Sequence, residues 1–145
     1  MRHYRHLILA FAVGVVLAII CIYVSGVMAA FPTPPPLSVL AKGHYSFALM
    51  VLDLLGALPV ALLSWLTGRV LFRAVGTKSA LLWLMAACPW VVYGIDGVSR
   101  YIQVCGAQIW ASPALLLGWV VSLFSVPAGL WLALRSARKG TALVP

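Results

Sequence analysis

The sequence predicts an all-α polytopic membrane protein: a single membrane domain over residues 1–145, built as a four-helix transmembrane bundle with the N-terminus and the C-terminus both cytoplasmic. Three observations carry this prediction. The chain is 64% hydrophobic and only 8% charged, with a mean hydropathy of +1.09, whereas soluble domains hold roughly 25% charged residues. Its apolar residues fall in four helix-length runs, about 7–31, 47–71, 79–95 and 114–134, each of the order needed to cross a hydrocarbon core. With the N-terminus inside, Arg2, Arg5, Arg69, Arg73, Lys78, Arg135, Arg138 and Lys139 fall on the cytoplasmic side, and only Lys42 and Arg100 fall outside. That is the positive-inside bias of a multi-pass protein. The formal charge of +8 therefore speaks for orientation and not for nucleic acid, and the expected localisation is the bacterial inner (plasma) membrane.

The first run, LILAFAVGVVLAIICIYVSGVMAAF, is longer than the apolar core of a signal peptide. Ile20 before Cys21 also breaks a lipoprotein cleavage motif, so the run reads as an uncleaved span. Within it Ala10, Gly14 and Ala18 recur every fourth residue, a ladder that lets another helix backbone come close. Residues 32–46 form an outer loop that opens with Pro32, Pro34, Pro35 and Pro36. Proline lacks a donor and fixes φ, so this is a stiff connector and reads as a spacer between spans. The second run, FALMVLDLLGALPVALLSWLTGRVL, carries Asp53 and Pro59 and leaves through Arg69, Arg73 and Lys78.

The third run is short for a bilayer, about 25 Å at 1.5 Å per residue. Either the membrane thins there or the helix continues past Asp96. Val98, Tyr101, Ile102, Cys105 and Ile109 are spaced along one helical face, and this makes 96–111 an outer amphipathic segment suited to the membrane surface. Ser112-Pro113 supplies an N-cap and a proline at the first helical position, which starts the fourth span. There Gly118 and Ser122, then Ser125 and Gly129, stand four apart and predict tight packing. Pro59, Pro89 and Pro127 lie inside spans. Each requires a neighbour to satisfy the carbonyl it frees. The second and fourth spans share a loose order of proline, tryptophan, basic residues and glycine (Pro59, Trp65, Gly76; Pro127, Trp131, Gly140) without matching spacing.

Little of the sequence carries chemistry. There is no Glu and no Asn, which removes paired-glutamate catalysis and N-glycosylation. Cys21, Cys88 and Cys105 form no C-x-x-C pair, and His3 and His6 lack further ligands for a metal. No catalytic, cofactor-binding or metal-binding residue is expected, and no enzymatic activity. A carboxyl group in an apolar run is costly, so Asp53 stands out. The topology groups it with Asp96, Arg100, His44 and Lys42 as a candidate polar cluster on the outer side. These features point to a non-enzymatic accessory, assembly or protective (immunity-like) subunit. Its expected partners are the lipid bilayer and another membrane protein or a second copy, with no nucleic acid. The alternative is a small proton- or cation-coupled transporter or channel centred on Asp53. A lipid head-group enzyme using Asp53, His44 and Asp96 has no spacing signature behind it.

Overall fold

The computed structural model describes residues 2–30, 39, 42, 45–76, 79–105 and 113–139. They form four long helices, α1 (Arg2–Ala30), α2 (Tyr45–Val75), α3 (Ala80–Cys105) and α4 (Pro113–Lys139). Each holds a stretch of 21 to 26 residues long and apolar enough to cross a membrane. The proline-rich segment after α1 and residues 106–112 lie outside the described residues.

Local chemistry sets the helix ends. Gly76 adopts φ 65° directly after α2, the left-handed conformation that closes a helix at little cost for glycine. The Ser79 hydroxyl accepts a 3.2 Å hydrogen bond from the Leu81 backbone N–H and caps the start of α3. Pro113 is the first residue of α4, where its missing N–H costs nothing. α3 runs unbroken through Asp96 to Cys105. Residues 96–105 are thus the last turns of the third span's own helix, and the short third run needs no thinned bilayer.

The helices form a ring in which α1 touches α2 and α3, and α4 touches α2 and α3; among the described residues the diagonal pairs α2–α3 and α1–α4 make no backbone approach. The α2–α4 contact is the most extensive, and glycine makes it possible. A Cβ on Gly129 would strike the Ala61 carbonyl and the Ser64 side chain, and one on Gly68 would strike Ala133 and Leu130. Together with Gly118 against Asp53, these contacts run in the same direction along both chains, so α2 and α4 are parallel. On the opposite side Gly14 of α1 meets the Ala86 carbonyl of α3 without room for a side chain. Ala10, Gly14 and Ala18 are all buried, as their spacing predicts. Phe72, Leu82, Leu130 and Leu134 are the largest side chains sealed in the core.

α3 and α4 are antiparallel and joined by two tryptophans. The Trp90 indole donates to the Leu123 carbonyl at 3.1 Å, and the Trp83 indole donates to the Pro127 carbonyl at 2.9 Å. The first bond answers a specific need. Pro127 has no N–H to offer the carbonyl four residues back, which is that of Leu123, and Trp90 supplies the missing donor. The Pro127 carbonyl still has the Trp131 N–H in reach as an ordinary helix partner, so the Trp83 bond adds to a satisfied group.

Two expectations follow for chemical or thermal unfolding in mild detergent. Trp90→Phe destabilises by about 1 kcal/mol or more, the cost of an orphaned buried acceptor, and Trp83→Phe by less. Adding Pro127→Ala to Trp90→Phe restores a backbone donor to Leu123 and recovers most of the loss; equal effects of the two tryptophan changes would disprove the assignment. Gly129→Val overpacks the α2–α4 seam and costs about 1–3 kcal/mol, measured in the same way.

Candidate functional site

Asp53 lies two turns into α2. It belongs to a stripe with Ala57, Val60, Ser64, Gly68 and Leu71, spaced i, i+4, i+7, i+11, i+15 and i+18, which is one helical face. Every other member of that stripe is buried, so Asp53 faces the bundle and not the lipid. Gly118 of α4 is what admits it: a Cβ there would sit 3.1 Å from the Asp53 Cβ and closer still to its carboxylate. Asp53 is half-buried. Among the described residues it makes neither a hydrogen bond nor an ion pair. The helix rise places Asp53 about 24 Å from Arg69 along α2, close to the full hydrocarbon thickness of about 30 Å. It therefore sits near one boundary of the span, where a carboxyl group is cheaper to hold than at the centre.

The other acid behaves differently. Asp96 and Arg100 form an i, i+4 salt bridge of 2.9 Å with both side chains more than half exposed, as the continued helix allows. That pair uses the charge of Arg100 within its own helix. Asp53 and Asp96 nevertheless stand at one level: Asp53 packs on Gly118, and the neighbouring Gly97 faces Trp119. Asp53 and the residue beside Asp96 thus meet the same turn of α4 on adjacent faces. Lys42 is exposed and forms no ion pair with Asp53 among the described residues, and His44 lies outside the described residues. Of the five-residue cluster, the structure joins Asp96 to Arg100 and leaves Asp53 apart.

Inward of Asp53 the α2–α4 seam is closed. Ser64 donates to the Val60 carbonyl at 2.7 Å, and Ser125 donates to the Ser122 carbonyl at 2.7 Å. Both hydroxyls are spent on their own helices, a common use of serine inside a span. Cys21 is buried beside Ser64 and acts as a small apolar filler. Outside the seam, α2 and α4 leave an open groove of about 500 Å³ whose walls include Leu54, Leu58, Val120, Phe124 and Ala128. Among the described residues no group of three or more His, Cys or Asp side chains is placed to hold a metal.

At the opposite end the parallel α2 and α4 bring Arg69 and Arg73 level with Arg135 and Arg138. The Arg69 guanidinium lies 4.8 Å over the Trp65 ring, and Trp131 meets Trp83 edge-on at 5.6 Å. The sequence marks Gly118 as a packing residue but not as the one that makes room for Asp53, and it does not single out Trp90, which the freed carbonyl four residues before Pro127 calls for only as an unnamed neighbour. No protein-family model matches the chain, and comparison with curated proteins and with solved structures found no similar protein.

Asp53→Asn is expected to leave thermal stability in detergent unchanged or slightly raised, because no partner is lost and a desolvated charge is removed. Arg100→Ala should change it by less than about 1 kcal/mol, as for exposed ion pairs generally. A large loss in Asp53→Asn would reveal a structural partner for the carboxylate.

Proposed function

We propose that the protein is a non-enzymatic accessory, assembly or protective subunit of another membrane protein. The observation that carries this reading is the sealed α2–α4 seam. Glycine contacts close it, and its two buried hydroxyls are turned to their own backbones. A bundle packed in this way presents a stable surface rather than an internal path. The proposed setting is a bacterial inner membrane with both termini cytoplasmic. Supporting this are the arginines gathered at the common end of α2 and α4 and the scarcity of basic residues at the Asp53 end. The test is crosslinking in native membranes followed by purification in mild detergent. A stoichiometric membrane-protein partner is the expected result, and a free monomer with no crosslinked partner would sink the reading.

One observation favours a second reading, a small proton- or cation-coupled transporter or channel. Asp53 is an inward-facing carboxylate with neither a hydrogen bond nor an ion pair among the described residues, the kind of residue that marks ion pathways in membranes. On this reading the seam opens during transport, or several copies enclose a path. Proton or cation flux into liposomes should then be present with the wild type and lost in Asp53→Asn. Flux that is equal in both, or absent from both, removes it.

A further inference from the structure

The lipid-facing groove between α2 and α4 continues into a matched pair of aromatic and basic residues. On α2, Leu54, Leu58, Ala61, Trp65 and Arg69 stand at i, i+4, i+7, i+11 and i+15; on α4, Val120, Phe124, Ala128, Trp131 and Arg135 stand at i, i+4, i+8, i+11 and i+15. Each set lies along one helical face, and the first three members of each line the groove. The contacts of Gly129 with Ala61 and Trp65, and of Gly68 with Ala133, fix the register of the two parallel helices. Trp65 is therefore level with Trp131, and Arg69 with Arg135.

Neither arginine has an acidic side chain to pair with. The chain has two acids, and both stand at the other end of the bundle. Arg69 is held over the Trp65 ring, so this arginine is positioned before anything binds, while Trp131 packs edge-on against Trp83 of α3. The chemistry of this end asks for a ligand with an anionic head and an apolar tail. From the level of Arg69 the groove begins about 12 Å along the helix at Ala61, within the roughly 15 Å depth of one leaflet. A second copy inserted in the same direction would bring the same arginines and add like charge.

We propose that this end of the α2–α4 groove is a binding site for one anionic phospholipid of the bilayer. The phosphate lies between Arg69 and Arg135, and an acyl chain enters the groove past Ala61 and Ala128. Basic pockets between spans recognise lipid head groups in this way. The proposal needs only the membrane-spanning bundle and is independent of whether the protein serves a partner or carries an ion.

Native mass spectrometry of the full chain in mild detergent, titrated with phosphatidylglycerol, phosphatidylcholine or inorganic phosphate, tests it. One phosphatidylglycerol should be retained in preference to phosphatidylcholine. The double variant Arg69→Gln/Arg135→Gln should bind it roughly 30-fold more weakly, as two head-group cations would contribute. The double variant Arg5→Gln/Lys42→Gln, with the same change in net charge, should bind as the wild type does. Ala128→Phe, which fills the groove without altering charge, should shorten retention while the monomer and its helix content persist. Equal retention of the two lipids, an equal loss in the charge control, or competition by inorganic phosphate alone would overturn the proposal. So would a dimer or a bound partner helix that Ala128→Phe disrupts, since the groove would then be a protein interface.

Discussion

The structure depends on one contact, the close approach of α2 to α4. Membrane helices gain little from hydrophobic association with one another, because lipid is as apolar as they are, so dispersion and backbone proximity must hold them. Gly68, Gly118 and Gly129 supply that proximity along the length of the seam. The parallel register that results has consequences at both ends. It sets Asp53 on Gly118 at one end and aligns Arg69 with Arg135 at the other. A shift of one turn along this seam would disperse both features at once.

Proline is handled by the same economy of contacts. Three of the four helices contain an internal proline, and each leaves a carbonyl without its helical donor. In α4 the donor comes from the Trp90 indole of α3. The Trp83 bond one turn further along α4 holds the other side of the interruption. An indole can do this because it is apolar over most of its surface and carries one N–H. The α3–α4 interface is thereby fixed by a backbone defect as much as by side-chain volume, which explains why two antiparallel helices with a smaller contact than α2–α4 still join in a defined register.

Much of this fold was legible in the sequence, for a physical reason. Long apolar runs and the Pro113 start signal act locally, and the small-residue ladder Ala10, Gly14 and Ala18 reports a packed face whatever it packs against. The α3 boundary was harder. Asp96 is a charge in a span and imitates a helix end, yet Arg100 one turn later compensates it within the helix. What the sequence could not express is which helices become neighbours. The ring order separates α2 from α3 despite the short link between them, so Asp53 and Asp96 stand near one level of α4 without meeting, and Arg100 pairs within its own helix. Gly118 reads as a packing residue in the sequence alone, and its role in making room for Asp53 depends on α4 lying beside α2.

The position of Asp53 bears on both proposed readings. A carboxylate on the core-facing stripe of α2, close to a boundary and lying on a glycine, can face water at its own end of the bundle without a route to the other. Movement of an ion past it would require Gly129 to leave the Ala61 carbonyl and the Ser64 and Ser125 hydroxyls to exchange their helical acceptors. Each such step breaks packing or a hydrogen bond in a medium that offers no replacement. A fixed acid at the mouth of a closed seam needs none of these changes to meet a donor from a neighbouring protein. The smaller rearrangement is the physical ground on which the proposed subunit reading stands ahead of the proposed transporter.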